Sequence, residues 1–322
     1  MPLCVAAALV WTTLAAMAQG APAPAPGAGY EALKTDYERM SKGGDLTKAL
    51  AAAEKMNDVA EPLHVEALYD VARTHALMGS NEAAYEWFQR ALDAGFWDPD
   101  QVKQDPAFTA MRQEDRFRAM MRAAWAKGYI AMLERPERES FQKREKVMEA
   151  LAFRPGERVA DVGAGSGYFT IPVAKAVAPS GVVWAVDISQ EMLDYLAKRV
   201  EAEKLQDVKL KKVAKDDPQL PPKGLDTILM VDTLHYIQDR PAYAKKLAAG
   251  LAPGGRLVII DYTPKPWADR PWGPPPEQQM ARETVDRDMA AGGFKVAKAY
   301  EFLPEQYFVV YALQADSRAG RE

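Results

Sequence analysis

Thiol and imidazole are scarce in this chain of 322 residues, which has one cysteine, Cys4, and three histidines, His64, His75 and His235. Cys4 falls in an N-terminal stretch that reads as removable. Without it the chain has no disulfide, no thiolate nucleophile and no sulfur-ligated metal centre, and it tolerates an oxidising compartment. The histidines stand far apart, with no paired acids at ligand spacing, so no metal site is expected. Net charge is also small: 41 Lys and Arg against 45 Asp and Glu leave −4. That balance argues against nucleic acid or an anionic membrane as partner, because both select a basic footprint. The Lys and Arg at 140–146 and 198–215 are interleaved with Glu and Asp, as on a solvated helix face. Charged residues at 27% and apolar residues at 48% are ordinary for a protein with ample core. The length predicts two domains.

The chain divides by pattern. Met1 to Ala18 has no charged side chain, is apolar from Leu3 to Met17, and ends in Ala16-Met17-Ala18 followed by Gln19. This has the form of a secretory signal with a small-residue cleavage site, and the apolar run is short for a spanning helix. Export to the periplasm or medium is expected, without stable membrane insertion after cleavage. The missing basic residue at the start leaves a retained membrane anchor, or a misplaced start and a cytoplasmic protein, as alternatives. Residues 19–29, rich in Ala-Pro, read as an extended linker. In 30–125, Gly44 and Ala49 recur as Gly79 and Ala84, close to the roughly 34-residue period of tetratricopeptide-like helical repeats. Leu68, Val71, Ala72, Phe88 and Ala91 take that repeat's small and bulky positions, and an irregular third pair is expected from Pro106 through Trp125. Such units bury their apolar faces only by stacking, so they offer a surface for packing or for a protein partner. His75 reads as a packed residue and His64 as surface or capping. Residues 126–151 read as connecting helices broken at Pro136, 152–314 as the second domain and 315–322 as a tail.

Residues 157–170 hold the strongest motif. Val159, Ala160 and Val162 suit a strand covered on both faces, after which Gly163, Gly165 and Gly167 let the backbone bend and approach a ligand. A helix is expected to open near Tyr168. A second apolar run, Val182 to Val186, ends in Asp187, whose carboxylate can accept hydrogen bonds from both hydroxyls of a ribose. Strand, glycine turn, helix, strand and acid make a nucleoside-binding α/β unit. The dinucleotide fingerprint is G-x-G-x-x-G, with the pyrophosphate on the helix N-terminus, but this chain reads G-x-G-x-G with bulky Tyr168 in the sixth place. Asp161, two residues before the first glycine, would repel a pyrophosphate yet suits a ligand with ammonium and sulfonium charges.

On these residues the sequence resembles the class I S-adenosylmethionine-dependent methyltransferases, over roughly residues 126–312. The resemblance implies a doubly wound, Rossmann-like α/β fold with a mostly parallel seven-stranded sheet, here preceded by an all-α helical-repeat domain. Later segments keep the family's order: Val208 to Val213 as third strand, Leu225 to Val231 as fourth, Gly254 to Asp261 as fifth, and Gly292 to Val296 with Tyr307 to Tyr311 as a closing antiparallel hairpin. It implies S-adenosyl-L-methionine as cofactor, with Asp161, Gly163, Ala164, Gly165, Gly167, Asp187, Ile188 and Asp232 as candidate contacts. Asp216 and Asp217, after the third strand, are candidate adenine contacts. Tyr129, Arg138 and Gln142 are candidate lid residues.

Methyl transfer from a sulfonium rests mainly on orientation and exclusion of water, with a base where the nucleophile carries a proton. His235, just past the fourth strand, is the candidate catalytic base toward an oxygen or nitrogen of a small-molecule acceptor; capping the next helix is its alternative role. The loop from Tyr262 to Pro276 has six prolines with Trp267 and Trp272, and either walls an apolar acceptor pocket or simply packs. Members of the resembling group often have a histidine where this chain has Gln278, after Pro276-Glu277. Two rivals remain at this point: a repeat adaptor that binds the cofactor without turnover, and a nicotinamide oxidoreductase, which the glycine spacing disfavours.

Overall fold

A computed structural model of the chain describes residues 28–43, 68–270 and 272–314, with single positions 45, 48, 52, 55, 64 and 65. The expected signal segment, most of the expected linker, the expected tail, and Gly44 and Ala49 of the expected first repeat copy lie outside the described residues. The chain divides into two compact units, Met1–Trp125 and Ala126–Glu322.

In the first unit, helix α1 (Ala28–Lys42) starts where the linker was expected to end. Residues 68–77 are helical, Gly79 turns the chain at a φ of +72°, and α2 (Asn81–Asp93) follows. Leu68, Ala72, Ala84, Phe88 and Ala91 are all buried in one cluster, and Val71 is half-buried. Tyr69 stacks on Phe96 at 4.2 Å and Phe88 on Phe117 at 5.3 Å, offset contacts that add to area burial. Asp105 is buried and accepts bonds from the Tyr69 hydroxyl at 2.9 Å, Arg73 Nε at 2.8 Å and the Ala107 N–H at 2.9 Å. The expected third helix pair is not formed. After α3 (Pro99–Gln104), Pro106–Phe108 and Met111–Gln113 are single 3₁₀ turns, followed by one long helix, α4 (Asp115–Leu133). The cause is local: the Asp105 side chain caps the first turn and Pro106 occupies its opening position, so the chain is consumed in tight turns. His75 is half-buried with no hydrogen-bond partner for Nδ1 among the described residues, and His64 is exposed.

In the second unit, α5 (Arg138–Gln142) and α6 (Arg144–Leu151) precede the sheet. Its elements run β1 (Arg158–Val162), α7 (Thr170–Val177), β2 (Val182–Asp187), α8 (Gln190–Ala202), β3 (Val208–Lys212), β4 (Leu225–Val231), α9 (Arg240–Gly250), β5 (Leu251–Tyr262), α10 (Arg282–Ala290), β6 (Phe294–Tyr300) and β7 (Gln306–Leu313). The seven strands lie in the order β3-β2-β1-β4-β5-β7-β6. The first five are parallel and β7 is antiparallel to both β5 and β6.

Successive strand residues face opposite sides, and both sides are covered, which is why the strands read as continuous apolar runs. Ala160, Ile228, Met230, Leu257 and Ile259 pack with Leu247, Val285 and Met289 on one face. Val159, Leu229, Val258 and Ile260 pack with Val147, Leu151 and Val173 on the other. Each fully buried Val, Leu or Ile contributes about 1.5–3 kcal/mol of transfer free energy. The strand order reverses between β1 and β4. Ligands of open α/β sheets bind outside the carboxyl ends of strands at such a reversal, and Gly163 and Asp232 are the residues that leave those two ends.

Candidate active site

The glycine turn is built against the end of β2. Gly163 and Ala164 both donate their N–H to the Val186 carbonyl, at 2.9 and 3.1 Å. Gly163 has a φ of +79°, and a Cβ there would stand 2.3 Å from Thr233 Oγ1, so only glycine keeps this backbone against the exit of β4. Asp187 locks the next step of the turn: Oδ2 accepts the Gly165 N–H at 2.8 Å and Oδ1 the Ser189 N–H at 2.9 Å. A carboxylate has about four lone-pair sites, so both oxygens remain able to accept from a ligand's hydroxyls. Burial raises the Asp187 pKa, and the N–H groups of Ser189, Gly165 and Ile188 act against that shift. Ile188 leaves its side chain 52% exposed beside the turn, an apolar surface suited to a flat ring. Ala164 is buried, and Ser166 Oγ is buried with no partner among the described residues.

Asp161, the next-to-last residue of β1, is buried, and the Thr170 hydroxyl donates to its Oδ2 at 2.6 Å. Burial pushes its pKa from 3.8 up to about 6; Thr170 and Arg138 pull it down, and Asp187 pushes it up. The folded pKa is raised, so the stabilisation is complete below about pH 4 and is lost as pH rises through 6. Asp161→Asn should therefore gain on the wild type between pH 4 and pH 7, by on the order of 2–3 kcal/mol. Urea unfolding of both proteins across that range measures it, and parallel curves would contradict the assignment.

Asp232 leaves β4 in the left-handed region, at a φ of +53°. Burial pushes its carboxyl up to about 6, with Arg138 pulling the other way. Asp232, a candidate cofactor contact, is one member of a closed ring. Gln306 Nε2 donates to Oδ1 and Arg138 Nη2 to Oδ2 at 3.4 Å; Gln142 Nε2 donates to Gln306 Oε1 at 3.0 Å, and Arg138 Nε to Gln142 Oε1 at 3.4 Å. The ring joins α5, β4 and β7. Arg138 also lies 4.1 Å from the centre of the Tyr168 ring, directly after the glycine turn.

The other lid candidate reaches the same strand ends. Tyr129 shares a hydroxyl hydrogen bond with Tyr236, and burial raises the pKa of both. Nearby, Leu133 Cδ1 would stand 3.2 Å from a Cβ at Gly165.

The two acids after β3 are not brought to the turn by any described contact. Asp216 is exposed. Asp217 is occupied locally, its Oδ1 accepting the Gln219 N–H at 2.9 Å and its Oδ2 lying 3.8 Å from Lys246 Nζ.

His235 sits on the 3₁₀ turn Leu234–Tyr236. Its Nδ1 is 2.8 Å from Asp261 Oδ1, its backbone N–H donates to Asp261 Oδ2 at 3.1 Å, and both side chains are at least 97% buried. Asp261, at the end of β5, also accepts the Tyr262 N–H at 2.8 Å. A carboxylate on Nδ1 fixes the tautomer that carries its proton there and leaves Nε2 as the acceptor. Asp261 was absent from the sequence-derived candidates, although it shares Asp187's signal, an acid closing a buried strand.

The 262–276 loop is anchored by packing. Trp272 lies 4.5 Å from Phe141 and 5.9 Å from Tyr262, while Arg270 donates to the Thr263 and Glu305 carbonyls at 2.9 and 3.1 Å. Trp267 is half-buried, and Gln278 has its Oε1 buried without a partner among the described residues.

A glycine turn tied to an acid on the neighbouring strand, at the reversal of a doubly wound sheet, is the arrangement of nucleoside-binding α/β domains. Residues 160–257 match the family model described as methyltransferase domain. The chain is 27% identical to a SAM-dependent methyltransferase of Aquifex aeolicus whose crystal structure superimposes with a TM-score of 0.54, covering 58% of this chain and 97% of that one. It is 35% identical over 119 residues to protein-L-isoaspartate O-methyltransferase of Aeropyrum pernix, which is 37% of this chain and 44% of the relative. It is 33% identical over 110 residues to demethylmenaquinone methyltransferase of Symbiobacterium thermophilum, 34% of this chain and 44% of the relative. The chain thus spans less than half the length of these two curated relatives. The second unit is similar in fold and in its matched segment to SAM-dependent methyltransferase domains, and S-adenosylmethionine is the cofactor that this similarity supports.

Proposed function

We propose that the second unit transfers a methyl group to an oxygen or nitrogen atom of a small-molecule acceptor, with His235 as general base. The 2.8 Å contact between His235 Nδ1 and Asp261 carries this reading. S-Adenosylmethionine, when bound, supplies an electrophilic methyl group on a sulfonium centre. Asp187 would accept from its ribose hydroxyls, Ile188 would pack on its base, and Asp161 would balance its cationic part. Gly163 and Gly165 bring backbone rather than side chain to the ligand. His235 Nε2 takes the proton from the acceptor atom, while Asp261 holds the opposite N–H and steadies the imidazolium that forms. Tyr129 and Leu133, over the glycine turn, limit access of water. Tyr262, with its ring centre 6.3 Å from that of His235, and Trp272, 5.9 Å from Tyr262, put apolar surface near the base, which favours an acceptor with an aromatic or aliphatic body.

Residues 1–18 act as an export signal in this reading, and the first unit serves as helical repeats for packing or for a protein partner. Mass spectrometry of the ligand that copurifies with the mature protein tests the core of it. S-Adenosylmethionine or S-adenosylhomocysteine is expected; a nicotinamide or flavin dinucleotide in the cleft would overturn it.

A further inference from the structure

We propose that Arg138 binds the carboxylate of the cofactor's amino-acid end. The assignment rests on the reading of the second unit as an S-adenosylmethionine-binding domain, and goes beyond it by naming the residue that meets the ligand's one anionic group. The strand ends around the glycine turn are rich in acids: Asp161 in the last residues of β1, Asp187 at the end of β2 and Asp232 directly after β4. These suit an ammonium and a sulfonium. They repel a carboxylate, so the same crevice needs a cation beside them.

Three arginines approach the turn among the described residues, and their surroundings separate them. Arg199 donates to the Ser166 carbonyl at 2.9 Å and is paired with Glu134 at 2.7 Å, so its charge is matched. Arg144 covers one contact with the Tyr168 ring, at 4.4 Å, with no strand-end acid against it. Arg138 alone of the three touches both the turn, through Tyr168 at 4.1 Å, and the end of β4, through Asp232 at 3.4 Å. Its field also reaches the end of β1, where it draws the Asp161 carboxyl down. It therefore stands at the reversal between β1 and β4.

Arg138 is held, but loosely. A guanidinium has five donors in a rigid fork, and charge-assisted bonds to carboxylates run about 2.7–2.9 Å and are often paired. Arg138 has three acceptors among the described residues: the Leu133 carbonyl at 3.1 Å, and Gln142 and Asp232 at 3.4 Å each. No bidentate carboxylate contact is made, although the side chain is 8% exposed. A buried fork on a single long ion pair is suited to accept a second, planar carboxylate, and the Gln142–Gln306 amides fix its direction.

Calorimetry with two ligands separates recognition of the carboxylate from a general structural role. S-Adenosylhomocysteine has the amino-acid end, and 5′-methylthioadenosine has the same adenosine and thioether without it. Arg138→Met should weaken S-adenosylhomocysteine binding tenfold or more and change methylthioadenosine binding less than twofold. Arg138→Lys, which keeps the charge and loses the fork, should lose about fivefold on the first ligand only, and it decides the matter if the methionine variant does not fold. Unchanged S-adenosylhomocysteine affinity, or equal losses with both ligands, would overturn the assignment. Wild-type protein that binds neither ligand would overturn the cofactor reading itself, and this one with it.

Discussion

Asp187→Ala should weaken S-adenosylmethionine binding at least tenfold in calorimetry while the sheet remains folded. Asp187 does two things at once. Its oxygens accept the N–H groups of Gly165 and Ser189, which sets the shape of the turn, and they present the remaining lone pairs to a ligand. Alanine removes both, leaving the turn's donors to water and the ribose hydroxyls without acceptors. Hydrogen bonds to a charged group contribute about 1.5–3 kcal/mol, and tenfold in affinity corresponds to about 1.4 kcal/mol. The expected loss is thus at the lower edge of what the contacts carry. Asp187→Asn keeps one acceptor oxygen and should fall between the two proteins. Unchanged affinity in the alanine variant, with wild-type circular dichroism, would remove Asp187 from the site.

His235→Ala should lower kcat by about 10²–10³, within the range of general-base catalysis, with the S-adenosylmethionine dissociation constant moving less than twofold. The separation follows from position: His235 is fixed by β5 through Asp261, whereas the glycine turn is fixed by β2 through Asp187. Asp261→Asn tests the same pair from the other side. The amide can no longer balance an imidazolium, so kcat should fall by tenfold or more with cofactor affinity retained. An alanine variant turning over the acceptor at the wild-type rate would rule out a base at this position.

The sheet was legible in the sequence because its strands are covered on both faces, so Val159 to Val162, Val182 to Val186 and Leu225 to Val231 appear as unbroken apolar runs. The glycine turn and Asp187 were legible because their spacing is local. The polar ring was not. Gln142 and Gln306 are 164 residues apart and Arg138 and Asp232 are 94 apart, so no window of sequence shows that they meet. The strand order that brings β7 beside β5 decides it. Asp261 was hidden by the same long-range geometry, since nothing in its own run points to His235. Asp217 is ambiguous for a simpler reason: an acid after β3 looks alike in sequence whether it faces a ligand or only accepts from its own turn, and its described contacts are the Gln219 N–H and Lys246 of α9. The 3₁₀ turns at Pro106 and Met111 escaped because small and bulky residues recur at similar spacing in a helix pair and in short turns.

β7 is last among the strands in chain order, yet it is an interior strand. During synthesis every parallel strand emerges before it, and a nascent polypeptide ending near residue 300 would present the Leu257–Ile260 backbone as an open edge. Until Gln306–Leu313 arrives, that edge is a template for wrong pairing. The sheet therefore stays unsealed until Gln306–Leu313 has been made, and a stop codon ahead of that strand would release an aggregation-prone product with the β5 edge exposed.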